Sequence, residues 1–132
     1  MSIEVSTPER VAIVDITDRV ADAVPAGVDG VATAFVQHTT AGIVVQEDES
    51  RLLSDVKGEL QRLVPRDEGY AHDAIDDNAD AHLRAMLLGE SVSVPVEDGD
   101  LALGTWQSIL LVDCDGPRTR TVSVTVTPAV EP

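Results

Sequence analysis

Few side chains in this sequence can move protons, ligate metals or grip anions, and their spacing limits what they could do. His38, His72 and His82 are the only imidazoles. They match no sequential metal motif, so a shared ion would need the fold to gather them from three separate elements. Lone histidines are more often satisfied core or surface groups. His38 runs into Thr39-Thr40-Ala41-Gly42, a turn-like break where backbone could approach a ligand. His72 has Asp73, Asp76 and Asp77 close by, and His82 lies one helical turn after Asn78. Arg118 and Arg120 share parity with Val122, Val124 and Val126, which places two guanidinium groups at the start of a core-facing row. Buried there, each must meet a carboxylate, a carbonyl or an anionic ligand. Both an ion pair and a phosphate fork satisfy that demand. Trp106, in Gly104-Thr105-Trp106-Gln107, reads either as a core plug or as a stacking platform. Cys114 shares parity with Leu110 and Val112, so it points into the core and is inert. Phosphate-loop, dinucleotide and nucleophile-elbow patterns are absent. Asp76-Asp77 and Asp48-Glu49 read as solvated faces.

The elements that must position these groups follow from periodicity. Arg10 to Ile16 reads as a strand, followed by a short helix from Thr17 to Val24 that Pro25 and Gly27 end. Val31 to His38 and Gly42 to Gln46 are β-branched strands around the Thr39-Thr40 break, after a turn at Asp29-Gly30. From Ser50, the residues Leu52, Leu53, Val56, Leu60, Leu63 and Val64 recur at helical spacing, with Ser50 or Asp48 as cap and Pro65 as stop. Pro65 to Asp77 is a long loop, a common home for function. Asn78 caps a second helix whose Ala79, Leu83, Met86 and Leu87 form one stripe, and Gly89 ends it with a left-handed residue. Val92, Val94 and Val96 alternate with polar residues, and Pro95 suggests an edge strand ahead of an Asp98-Gly99 turn. Trp106 to Cys114 and Arg118 to Thr127 flank Asp115-Gly116-Pro117 as strands of a hairpin. Without regular β-α alternation, the expected class is α+β: an antiparallel two-sheet β-sandwich core with two main helices on its connections.

Composition bounds the partners. The 132 residues suit one compact domain over 1–132. A net charge of −15 repels nucleic acid and anionic lipid surfaces. The apolar content of 43% argues for a packed core, built with little aromatic help. Lys57 is the sole lysine, and acid excess with so little lysine suits a halophilic protein working in concentrated salt. One cysteine and no apolar leader point to a cytoplasmic protein. The longest uncharged stretch, Gly30 to Gln46, has 17 residues and is too short and too polar to span a bilayer. Apolar strand faces and a Pro-marked edge favour self-association.

His38-Thr39-Thr40-Ala41-Gly42, the segment Asn78 to Leu83, the run from Ser91 through Pro95, Gly99 and Gly104-Thr105-Trp106-Gln107 to Ile109, and Asp115-Gly116-Pro117-Arg118 together resemble the YjbQ family. That family is often labelled secondary thiamine-phosphate synthase. Order and spacing match from about residue 5 to 127. The resemblance implies a small α+β domain with a β-sandwich core, assembled as a homotrimer, with shared polar residues near a subunit boundary. It implies joining a pyrimidine methyl pyrophosphate to a thiazole phosphate. His38, Glu47, His82 and Arg118 would be catalytic. Thr39, Thr40, Asn78, Trp106, Gln107 and Arg120 would bind a phosphorylated small molecule. His38, His72 and His82 would hold a divalent metal, zinc or magnesium. Gln46 and Asp113 depart from the Asn and Glu frequent in the family, keeping each functional group but changing its reach. Two other classes fit the same residues: a metal-dependent hydrolase of a phosphorylated or cyclic metabolite with Glu47 as general base, and a non-catalytic anion-binding module.

Overall fold

The computed structural model describes residues 1–130, so Glu131 and Pro132 of the expected 1–132 domain lie outside the described residues. In chain order it contains β1 (Ser2–Ser6), β2 (Ala12–Asp15), α1 (Thr17–Asp22), β3 (Gly30–Val36), β4 (Ala41–Gln46) and α2 (Ser50–Leu63). A 3₁₀ turn (Ala71–Ala74) and α3 (Ala79–Leu88) follow, then β5 (Ser91–Glu97), β6 (Asp100–Leu101), β7 (Ser108–Asp113) and β8 (Thr119–Pro128). The strands form a five-stranded sheet, β1-β8-β3-β5-β6, and a three-stranded sheet, β2-β7-β4. Every pairing is antiparallel. The class is thus the expected α+β sandwich.

The two sheets differ in what covers them. In the larger sheet, β3, β5 and β8 alternate buried and accessible residues, so Ala34, Val94, Val122 and Val124 face inward. They meet Ile43 of β4 and Ile109 and Leu111 of β7 in one apolar cluster. The smaller sheet is covered on both faces, which is why Ile109–Asp113 of β7 is buried without alternation. On its outer face Val112 and Cys114 pack with Leu60 of α2 and Ala81 of α3. Gly42 permits the approach of α3 to β4: a Cβ there would lie 2.6 Å from Leu88 Cβ and 2.9 Å from the Gly89 carbonyl oxygen. That carbonyl accepts the Ile43 N–H at 3.0 Å, and Gly89 leaves the helix at a φ of 91°.

Helix α3 reverses the expected stripe. Its buried residues are Ala79, Asp80, Ala81, Arg84 and Ala85, while Leu83, Met86 and Leu87 are exposed. Small alanines let the helix sit close to β4. Asp80 takes a two-pronged bond from Arg10, at 2.9 and 3.1 Å, and lies 3.3 Å from Arg84. Arg84 in turn gives hydrogen bonds to the Val64 carbonyl at 3.0 Å and Gln61 at 2.8 Å, tying α3 to the end of α2. Paired charges can therefore occupy the inner face and leave the apolar residues outside.

Smaller departures have local causes. Strand β1, not expected from the sequence, pairs with β8 and sets Val5 opposite Arg120. Pro95 stands one strand in from the edge, because the two-residue β6 pairs with β5; its carbonyl accepts the Ala102 N–H at 2.8 Å. Glu49 caps α2 in place of Ser50 or Asp48, accepting the Arg51 N–H at 2.5 Å. Thr17 opens α1 behind Ile16, and the helix ends at Asp22, short of Val24. Among the described residues no helix is long and apolar enough to cross a membrane.

Candidate functional site

One cavity of about 530 Å³ gathers most of the candidates. It is lined by His38, Thr39 and Thr40 from the β3–β4 break, His72 and Asn78 before α3, His82 on α3, and Arg118 and Arg120 at the start of β8. A second, apolar cavity of about 560 Å³ adjoins it, sharing His38, Thr39 and His82 and walled by Phe35, Ala41, Ala85 and Met86.

Arg120 forms the cavity floor. It is 2% exposed, and its Nε and Nη2 donate to the two oxygens of Asp113 at 3.0 and 2.5 Å. Nη2 also donates to Thr40 Oγ1 at 2.8 Å, and Thr7 gives its hydroxyl to Asp113 at 2.6 Å. The ion-pair reading is therefore realised at Arg120. Arg118 breaks the expected parity because β8 starts at Thr119: it is exposed, with Nε on the Asp115 carbonyl at 2.7 Å and Nη2 on its carboxylate at 3.0 Å. Burial alone would raise the Asp113 carboxyl, but the Arg120 guanidinium, the Thr7 hydroxyl and the Asp115 N–H more than offset it, holding Asp113 below the usual carboxylate range.

The histidines are anchored separately. His38 Nε2 accepts the Thr121 N–H at 2.8 Å. Partial burial, and then the charges of Arg120 and Arg118, lower its pKa, so it stays neutral at pH 7. His72 Nε2 meets Asn78 Oδ1 at 3.1 Å, and the His72 and His82 rings lie edge to face with centroids 4.7 Å apart. Asn78 occupies the N-cap position without capping: its side chain bridges His72 and Asp115, and Asp73 accepts the Ala79 N–H instead. The three histidines do not fit the expected metal triad within one chain. Among the described residues only Asp67, Asp73 and Asp77 bring three ligand atoms within 4.8 Å of one another, and the Nε2 of His38 already holds an N–H. That aspartate cluster lies on exposed loop surface and does not include a histidine.

Glu47, Trp106 and Gln107 stand elsewhere. The cavity lies where Ala41 pairs with Asp113, whereas Glu47 and Trp106 flank the opposite end, where Gln46 pairs with Ser108. Five residues of strand separate the two ends, about 17 Å at 3.4 Å per residue. Gln107 closes its own turn, accepting the Gly104 N–H at 2.8 Å. Trp106 projects from that turn at 73% exposure, so the core-plug reading is wrong. Cys114 is buried, and desolvation pushes its thiol up to about 11, in keeping with an inert core residue. Spacing in the sequence alone does not mark Asp113 and Asp115 as site residues. The available signal was an alternating Asp-x-Asp ahead of two arginines, hidden by the many other acids.

The family described as UPF0047 protein YjbQ-like matches residues 1–129. A UPF0047 protein of Archaeoglobus fulgidus is 52% identical over 94% of this chain and 98% of its own length. One from Methanothermobacter thermautotrophicus is 48% identical over 91% of this chain and 85% of its own. A hypothetical protein from Aeropyrum pernix superposes with a TM-score of 0.93 at 38% identity, covering 98% of each chain. A YbjQ-like protein of Sulfolobus solfataricus gives 0.87 at 39% identity, over 94% of this chain and 92% of its own.

Proposed function

Since the chain belongs to the YjbQ-like UPF0047 family, we propose that its histidine-lined cavity binds a small phosphorylated molecule and acts on it as a thiamine-phosphate synthase-like transferase in the cytoplasm. One observation carries this reading. In a chain of net charge −15, two guanidinium groups and three imidazoles line a single cavity beside only two carboxylates, Asp76 and Asp115, so the acid excess of the rest of the chain is locally balanced and donors for a phosphate are gathered in one place. In the transfer, the thiazole nitrogen forms a bond to the pyrimidine methylene carbon. The bond from that carbon to the pyrophosphate oxygen breaks, and pyrophosphate leaves with the electron pair. Arg118 and the cavity edge of Arg120 would hold phosphate oxygens, with Thr39 and Thr40 as neutral partners.

The subunit arrangement is part of the same proposal. Leu83, Met86 and Leu87 leave an apolar stripe uncovered beside the apolar cavity, and Trp106 is an uncovered knob at the other end. Three copies arranged head to tail in a closed ring would seat each Trp106 end, with its Glu47, against the next copy's cavity. The hydrolase alternative takes Glu47 as general base, and because Glu47 does not line the cavity of its own chain, that reading depends on this assembly.

The test is calorimetric titration with inorganic pyrophosphate in high salt, followed by mass-spectrometric detection of thiamine phosphate from the two substrates. Binding weakened at least tenfold in Arg118→Ala, together with product made only by the unmodified protein, is the expected outcome. Absence of product above the Arg118→Ala level overturns the transferase reading, and saturable binding without turnover identifies a binding module.

A further inference from the structure

Two of the cavity's histidines have hydrogen-bond partners that dictate where their protons sit. At His38, a backbone N–H of β8 can only donate, so Nε2 must present its lone pair to Thr121 and the proton of the neutral ring resides on Nδ1. That Nδ1 has no protein partner. Since no buried side-chain nitrogen or oxygen lacks one among the described residues, Nδ1 is accessible where His38 lines the cavity.

At His72 the logic runs through Asn78, which is 7% exposed. Its amide Nδ2 lies 3.0 Å from Asp115 Oδ2, the same oxygen that accepts from Arg118 Nη2 at 3.0 Å. A carboxylate paired with an arginine accepts and does not donate, so the NH₂ end of Asn78 must face it. The carbonyl end is thereby turned to His72, whose Nε2, 3.1 Å away, must carry the proton. His72 Nδ1 is left with a lone pair.

We infer that the cavity holds His38 and His72 in opposite tautomers, His38 as a hydrogen-bond donor and His72 as an acceptor, with Asn78 as the residue that sets His72. This rests on the cavity being the ligand site proposed above, and it narrows the ligand class. The ligand offers an anionic or carbonyl oxygen to His38 and an O–H or N–H to His72, as does a phosphorylated molecule bearing an amino or hydroxyl group. Asn78, which also lines the cavity, acts in this respect as a positioning residue, through the histidine it orients.

The test is ¹⁵N NMR of the imidazole nitrogens in the full-length protein at pH 7.5. His38 should show a protonated Nδ1 and an unprotonated Nε2, and His72 the reverse, each tautomer in about tenfold excess, the bias that one hydrogen bond supplies. In Asn78→Ala, His72 should relax to a mixture while His38 keeps its pattern. A loss of structure would spoil that variant, so Asp115→Asn is the second arm. It frees the Asn78 amide to turn over and should also relax His72 alone. Like tautomers on the two rings in the unmodified protein, or an unchanged His72 in both folded variants, overturn the inference. Adding inorganic pyrophosphate separates the two claims: opposite tautomers without any pyrophosphate-induced shift uphold this inference and count against the ligand reading.

Discussion

The two ends of the three-stranded sheet are built on opposite plans. At the end where β4 begins, Asp113 and Arg120 are buried together and satisfied by Thr7, Thr40 and each other, and His38 leans on the β8 backbone. At the end where β4 finishes, Trp106 stands on a short turn closed between Gly104 and Gln107, by a backbone hydrogen bond and by the Gln107 side chain, and is largely exposed. The first end is organised within one chain. The second presents an exposed indole with nothing of its own chain over it. Residues that resemblance groups into one site thus lie on two separate surfaces of one chain, one internally satisfied and one exposed.

The largest effect expected from disturbing that contrast is at Asp113. Asp113→Ala leaves the Arg120 guanidinium buried without its carboxylate, and urea denaturation should show a loss of about 3–5 kcal/mol. Trp106→Ala should cost the isolated fold less than about 0.5 kcal/mol, as surface changes do. Its effect should fall on assembly. Sedimentation in high salt should give a trimer for the unmodified protein and a weakened one for Trp106→Ala, by about 2 kcal/mol or more per contact if the Trp is an anchoring residue. A monomer in both cases would break the comparison, because the Trp106 end would then have no partner copy.

Salt should act in opposite ways on the stability of the whole fold and on binding at the His38 end. Raising KCl from about 0.1 to 1 M shortens the screening length from about 10 to about 3 Å. The melting temperature should climb as repulsion among the excess carboxylates is screened, while pyrophosphate binding at the arginine-bearing cavity weakens. A flat or falling melting temperature would mean that the acids are locally paired.

Acid should register mainly at the His38 end. The folded pKa of His38 lies below its ordinary value of about 6.5, so between the two values the unfolded chain binds more protons and stability rises with pH. Lowering the pH through about 6.5 should therefore begin to destabilise the fold, and the loss should be complete once the folded His38 titrates. Asp113, also depressed, adds a second loss below about 3.9. At the other end, Asp48 is raised by partial burial and by its hydrogen bond to Asp15, whereas Asp15 is lowered, chiefly by Thr17 against the opposing effect of burial. Their contributions to the pH dependence have opposite signs. Thermal melts of the unmodified protein and His38→Gln between pH 7 and 5 would check this, with the first step absent in the variant.

Much of the architecture follows from the order of residues alone. Alternating valines in β5 and β8 dictate one-sided strands, and the spacing of Leu52, Val56, Leu60 and Leu63 dictates α2, because both are properties of backbone period acting on apolar side chains. Cys114 is buried as its parity with Leu110 and Val112 suggests, but residues of both parities are buried there because the smaller sheet is covered on both faces. Tertiary structure decided the matters that depend on partners distant in sequence. Leu83, Met86 and Leu87 read as an inward stripe, yet the inner face of α3 is held by Asp80 and Arg84, whose burial is tolerable only because Arg10, Gln61 and the Val64 carbonyl meet them. Arg118 and Arg120 look equivalent by parity, but β8 starts between them and Asp113 captures only one. Asn78 looks like a helix cap, and becomes a bridge because Asp115, 37 residues away, takes its amide. Local period is written in each segment, whereas which charge is paired, which proton is fixed and which face is left bare depend on contacts that exist only once the chain has closed on itself.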